Sequence, residues 1–160
     1  MHWDKTIRIW DLNSGECLQI LKGYENDIPC INVIFDCKII SSSFMEIKVW
    51  DVGSGECLQT FNVGHTSYIR GILLISNEKI ASCDQDGKII IWNIENGDCL
   101  KTIEAHSDVI WSLNNLSNNK IISCSRDKTI KVWDINECIC LKTLNGHVDE
   151  VFCLDSSNWR

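Results

Sequence analysis

The chain has 160 residues, with 15 Lys and Arg against 22 Asp and Glu, a formal net charge of −7, 44% hydrophobic residues and a single Pro. That balance suits a folded domain with a real core, and it lacks the basic stripe a phosphate-neutralising nucleic-acid binder needs. No apolar run approaches the ~20 residues of a membrane-spanning helix, and Met1-His2-Trp3-Asp4 opens no secretory leader, so neither nucleic acid nor membrane is expected as a partner.

The pattern is visible from the first residues onward. Asp4-Lys5-Thr6-Ile7-Arg8-Ile9-Trp10-Asp11 reads as a turn running into a short strand, and Gly15-Glu16-Cys17-Leu18-Gln19 as a turn and the next strand. The same words return as Ile47-Lys48-Val49-Trp50-Asp51 with Gly55-Glu56-Cys57-Leu58-Gln59, as Asp86-Gly87-Lys88-Ile89-Ile90-Ile91-Trp92-Asn93 with Gly97-Asp98-Cys99-Leu100-Lys101, and as Asp127-Lys128-Thr129-Ile130-Lys131-Val132-Trp133-Asp134. Trp10, Trp50, Trp92 and Trp133 lie 40, 42 and 41 residues apart, and His65, His106 and His147 follow at intervals of 41. A fixed period of this length marks a repeat architecture.

Inside one period the reading is four short strands. In the third full copy these are Val109–Leu113, Lys120–Ser123, Thr129–Trp133 and Cys140–Leu144, with Ser117-Asn118-Asn119, Ser125-Arg126-Asp127-Lys128 and Asn136-Glu137 as the turns between them. The apolar runs are too short and too β-branched for helices. A four-stranded sheet that is apolar on both faces has to stack on copies of itself, and radial stacking gives a propeller. Of the ten cysteines, Cys17, Cys57, Cys99 and Cys140 recur with the repeat, as do Cys83 and Cys124, and no Cys-x-x-Cys pair occurs. They read as small buried hydrophobes rather than metal ligands, and as thiols kept free in the cytosol or nucleus. No cofactor or metal is expected.

On the Gly-His, Ser, Asp and Trp-Asp residues at these offsets, the chain resembles the WD-repeat family over essentially its whole length. The resemblance implies an all-β WD-repeat β-propeller with three full four-stranded blades, about 23–63, 64–104 and 105–145, and a partial blade split between 1–22 and 146–160. It implies that the loop His, the strand Ser, the turn Asp and the Trp of a blade form one buried hydrogen-bonded network. The set occurs twice in full, as His65, Ser82, Asp86 and Trp92 and as His106, Ser123, Asp127 and Trp133. The termini carry Asp4 and Trp10 at one end and His147 at the other. A Ser-His-Asp set buried in successive blades has neither an open cleft nor an oxyanion hole, so it is expected to be structural and not catalytic.

The first complete blade departs from this pattern. Tyr24 stands at the His position, and Ser41-Ser42-Ser43-Phe44-Met45-Glu46 has no turn Asp. Apolar packing by Tyr24 and Phe44 is the expected replacement for the network, so Asp127 should matter more to stability than Glu46. At the ends, two arrangements are open, a piece of a longer array and a small four-blade ring with a defect. In the first, self-association through the exposed ends is a further expectation.

In WD-repeat proteins partners commonly dock on the face that carries the loop before the first strand and the second turn. Counting from the repeat, the positions there hold Pro29, Arg70, Trp111 and Phe152, then Asp27, Tyr68, Val109 and Glu150, then Trp3, Gln85 and Arg126. Tyr68, Arg70, Trp111, Arg126 and Phe152 are of the types that dominate interface hot spots. Arg70 and Arg126 point to an acidic or phosphorylated segment as the partner. The expected function is therefore a non-catalytic protein-interaction scaffold. The alternatives are the substrate-recognition part of a ubiquitin ligase, since the Gly-Glu-Cys-Leu-Gln strands resemble those of F-box/WD proteins, and a regulatory segment of a larger enzyme.

Overall fold

A computed structural model describes residues 4–34, 37–61, 64–117 and 119–154. Among these residues there is no helix. The strands fall into one two-stranded sheet, β1 (Ile7–Trp10) and β2 (Cys17–Leu21), and three four-stranded sheets. The first is β3 (Cys30–Val33), β4 (Lys38–Ser42), β5 (Ile47–Asp51) and β6 (Cys57–Phe61). The second is β7 (Ile69–Ser76), β8 (Lys79–Asp84), β9 (Lys88–Asn93) and β10 (Cys99–Glu104). The third is β11 (Ile110–Ser117), β12 (Lys120–Ser125), β13 (Ile130–Asp134) and β14 (Ile139–Leu144). Each is an antiparallel meander in sequence order, as short β-branched runs joined by tight polar turns dictate. The architecture is all-β and propeller-type: three full blades, here blades 1 to 3, preceded by the half-blade β1–β2.

Burial shows why the blades cannot stand alone. In β9 the consecutive residues Ile89, Ile90, Ile91 and Trp92 are all buried, so both faces of the strand are covered. Three apolar layers do the covering. Ile7 and Leu21 of the half-blade pack with Tyr24, Ile39 and Trp50. Ile40, Ile47 and Phe61 of blade 1 pack with Ile72, Ile80, Ile90 and Trp92 of blade 2. Ala81, Ile89 and Ile91 of blade 2 pack with Ile110, Ile121 and Trp133 of blade 3. Each fully buried Ile contributes about 1.5–3 kcal/mol through removal from water, and the layers that bury them draw on two adjacent blades.

The first strand of each blade packs against the first strand of the next, β3 on β7 and β7 on β11, which makes these the inner strands. The fourth strands lie outside, and their cysteines correct the expectation of burial. Cys17, Cys57, Cys99 and Cys140 are exposed, and only Cys83 and Cys124 are buried. An outer strand has an open edge, so a residue at its start is covered on one side at most. Cys17, Cys57 and Cys140 instead direct their thiols at the carbonyls of Gln19, Gln59 and Lys142, at 3.5, 3.4 and 3.5 Å. Burial pushes the Cys124 thiol up to about 12 and raises that of Cys83.

Among the described residues, the terminal pieces share no joint network. Trp10 is 52% exposed, and Asp4 and His147 are also exposed, with no hydrogen bond among the three. The half-blade instead covers blade 1, and the other end covers blade 3. Val151 N–H donates to Ser125 O at 3.1 Å, and Asn114 Nδ2 donates to Leu154 O at 3.3 Å. Asn32 makes the same bond to Ile72 O on β7, also 3.3 Å. Residues 151–154 thus lie against blade 3 as β7 lies against blade 1, but they pair into no strand ladder.

Candidate functional site

The polar relay in blade 3 has the residues read from the sequence. Trp133 Nε1 donates to Ser123 Oγ at 2.8 Å, and Ser123 Oγ lies 2.7 Å from His106 Nε2. His106 Nδ1 is 2.8 Å from Asp127 Oδ2. One proton pattern satisfies every atom: indole to hydroxyl, hydroxyl to imidazole, imidazole to carboxylate, with the His neutral. Burial lowers the pKa of His106, outweighing the opposing pull of Asp127. Burial would raise the Asp127 carboxyl, but bonds from the Thr129 hydroxyl (2.6 Å), His106 and the Thr129 N–H (3.0 Å) prevail and hold it at about 2.

In blade 2 one member differs. Trp92 Nε1, Ser82 Oγ and His65 Nε2 connect at 2.7 and 2.5 Å, but His65 Nδ1 meets Asp84 Oδ2 at 2.6 Å, not Asp86. Asp84 ends β8 and is wholly buried, and its other oxygen accepts the N–H groups of Asp86 and Lys88 at 3.0 and 2.9 Å. Asp86 lies exposed on the turn and takes only the Thr66 hydroxyl, at 2.7 Å. The reason is reach. The same strand position in blade 3 is Ser125, whose side chain accepts from Asp127 N–H and donates to Asp108 O, so there the turn Asp must serve the His. In the column Ser43, Asp84 and Ser125 the lone acid was the signal available in the sequence.

Blade 1 also differs from expectation. Tyr24 does not exchange the polar link for apolar packing: its phenol oxygen lies 2.8 Å from both Ser41 Oγ and Ser41 O, and Trp50 Nε1 donates to the same hydroxyl at 2.8 Å. The longer phenol spans the space an imidazole fills elsewhere. Phe44 turns away from it, edge-on to Tyr68 with ring centroids 4.5 Å apart. Glu46 pairs with Lys48 at 2.9 Å. At the first turn Asp4 accepts from Thr6 N–H at 3.2 Å and from Arg8 Nη2 at 3.1 Å, with no His bonded to it among the described residues.

The relays are sealed: Ser82 and Ser123 are inaccessible, so neither hydroxyl can meet a substrate. At the loop-and-turn end lies a row of side chains in which Tyr68 and Phe152 are exposed and Phe44, Arg70 and Trp111 are half-buried. The Arg70 guanidinium lies 5.8 Å from the Tyr68 ring and 5.4 Å from that of Trp111, a stacking arrangement favourable to a cation. Trp111 lies 5.4 Å from Phe152, which is 63% exposed. Turned so that its oxygen faces the guanidinium, the Gln85 amide accepts from Arg70 Nε at 3.1 Å. The order Phe44, Tyr68, Arg70, Trp111, Phe152 runs unbroken across three blades.

Arg126 belongs to this end but not to its free charge. Its Nε lies 3.1 Å from Glu150 and 3.9 Å from Asp108, and the other Glu150 oxygen accepts from Trp111 Nε1 at 3.2 Å. Glu150 therefore neutralises Arg126 and fixes the Trp111 ring. Of the two arginines, Arg70 alone keeps a guanidinium with no carboxylate partner among the described residues. Trp3 lies outside them.

Comparison with known proteins agrees with this geometry. The family described as "WD domain, G-beta repeat" matches residues 55–93 and 97–134. An F-box/WD repeat-containing protein A-like protein of Dictyostelium discoideum is 27% identical over 114 residues, which are 71% of this chain and 9% of that one. Mitochondrial division protein 1 of Candida glabrata is 33% identical over 110 residues, 69% of this chain and 13% of that one. The solved structure of U3-55K superposes with a TM-score of 0.77 at 30% identity, covering 82% of this chain and 43% of its own. The chain thus spans a small part of these curated relatives and under half of that structure.

Proposed function

Because the chain belongs to the WD-repeat family, we propose that it works as a non-catalytic docking module whose contact surface is the Tyr68–Arg70–Trp111–Phe152 row. One observation carries this reading: a guanidinium held between two aromatic rings on the exposed end, in a molecule whose Ser-His-Asp sets are closed to solvent. Large, rigid aromatics around an Arg provide contact area at little entropic cost. The net charge of −7 favours protein over nucleic acid as the partner.

The partner segment that fits Arg70 carries a carboxylate or phosphate, received by the outer N–H groups of the guanidinium. With Arg126 already paired, a single anionic residue suffices and a run of them gains little. The ten free thiols fit a cytosolic or nuclear setting. A role in substrate recognition for a ubiquitin ligase is the second reading, favoured by the likeness to an F-box/WD protein.

Selecting peptides from a random displayed library against the 160-residue chain tests the proposal. The selected peptides should contain one Asp, Glu or phosphoresidue, and should lose at least tenfold in affinity on Arg70→Ala and on Trp111→Ala but not on Lys142→Ala at the outer rim. Peptides that bind both face variants as tightly as the parent chain would place the docking surface elsewhere.

A further inference from the structure

Blade 1 carries a cleft of about 470 Å³ between the loop at Gly23, Glu25 and Asn26 and the turn at Phe44, Met45 and Glu46. Its origin is the departure already described. With Tyr24 at the His position and no turn Asp, nothing ties that turn to the loop as His65 is tied to Asp84. Ser42 and Ser43 beneath the turn are fully buried, and their hydroxyls have no partner. Phe44, which would cover the gap, leans on Tyr68 instead.

The walls combine apolar and anionic groups. Phe44 and exposed Met45 supply the apolar part, while Glu25, Glu46 and Lys48 supply the charge. The Lys48 ammonium is already engaged by Glu46 at 2.9 Å, by the Tyr24 ring at 5.2 Å and by the Thr60 hydroxyl at 3.4 Å. Lys5 reaches the Glu25 carbonyl, at 2.5 Å, and lines a separate cleft on the other side of the loop. The Glu25 carboxylate has no cation within ion-pair distance among the described residues, the Lys5 ammonium on the Glu25 carbonyl acting on it only through space.

We propose that this cleft is a second subsite of the docking face, and that it receives a Lys or Arg side chain of the partner, with its aliphatic stem on Phe44 and Met45 and its cation at Glu25. Long cationic side chains present this pairing of apolar stem and charged head. The subsite continues the face, since Phe44 touches Tyr68, whose ring meets Arg70. It goes beyond the reading of Arg70 and is tested apart from it.

The experiment is an NMR titration of the full chain with N-acetyl-arginine methylamide, with the uncharged citrulline analogue and the acidic glutamate analogue as controls. The expected result is saturable shifts of the backbone amides at 23–26 and 44–48, with millimolar affinity for one exposed side chain. The citrulline and glutamate analogues should bind at least threefold more weakly, and Glu25→Gln should weaken arginine binding by a similar factor while Lys142→Ala at the outer rim leaves it unchanged. Equal binding of arginine and citrulline analogues, shifts that survive Glu25→Gln undiminished, or no saturable shift in the cleft would each overturn the proposal. Because this titration reads the amides at 23–26 and 44–48 while the peptide selection reads Arg70 and Trp111, failure of the cleft and failure of the Arg70 surface give different results.

Discussion

The His65 imidazole is held by Asp84, 2.6 Å away at the end of the same blade's second strand, and not by Asp86 on the turn beyond it. Asp84→Ala would strand a buried imidazole N–H together with the backbone N–H groups of Asp86 and Lys88. Leaving buried donors unmet costs about 1–3 kcal/mol each, less where water can enter. Asp86→Ala removes one exposed bond from Thr66 and should cost under about 1 kcal/mol. Urea unfolding should therefore place Asp84→Ala at least about 2 kcal/mol below Asp86→Ala. Equal midpoints for the two variants would return the role to the turn residue.

Acid should loosen blade 3 in two stages. His106 has a folded pKa below its ordinary 6.5 because burial disfavours the charged ring. Its contribution is then present above about 6.5 and is lost as pH falls below it, since the unfolded chain takes up the proton first. Asp127 is held at about 2 against an ordinary 3.8, so its contribution is present above 3.8 and is lost as pH falls toward 2. Both changes have the same sign. Urea midpoints from pH 8 to 2.5 should fall with acidification, and His106→Gln should flatten the segment between about pH 7 and 5. A variant with the parental slope there would show that His106 does not govern it.

Tyr24 offers a test of polar substitution inside a blade. Tyr24→Phe keeps the ring, 6.0 Å from Trp50, and removes both bonds to Ser41. Ser41 Oγ still receives the Trp50 indole N–H, so the cost should be about 1–2 kcal/mol, a fall in melting temperature of roughly 3–6 °C for a chain of this size. An unchanged melting temperature would mean that water replaces the phenol without loss.

Much of this was legible in the residues. The 41-residue spacing and the β-branched runs carry the number and order of strands, because hydrophobic period and turn chemistry are local properties. The Ser, His and Trp of the two relays are legible for the same reason, being fixed to strand and loop positions. Asp84 stands out only as the lone acid in the column Ser43, Asp84 and Ser125, and choosing it over Asp86 two residues on depends on which side chain faces inward, a tertiary property. Tyr24 was read by its ring and not by its hydroxyl. The exposure of Cys17, Cys57, Cys99 and Cys140 was hidden because periodicity marks a position and not how deep it lies. Arg126 looked free in the sequence, while its partner Glu150 arrives from 24 residues further along, on the next loop.

Gly87 is the joint between blades 2 and 3. Its carbonyl accepts from Ala105 N–H at 2.9 Å and from His106 N–H at 3.0 Å, which fixes the loop that carries the relay His. Its φ of +83° is one that residues with a Cβ rarely adopt, and a Cβ built there would fall within 2.2 Å of the His106 carbonyl oxygen. That atom is backbone, so the contact can be relieved only by separating the turn from the loop. Gly87→Ala should cost about 2–4 kcal/mol, more than the ~1 kcal/mol of left-handed strain alone. Gly15→Ala is the control, because a Cβ there meets nothing within 4 Å at a similar φ of +72°. If the joint works as described, hydrogen exchange in the Gly87 variant should rise at the Ala105 and His106 amides before it rises in β9. Similar losses for the two variants would assign the whole effect to backbone conformation and remove the role of Gly87 in coupling the blades.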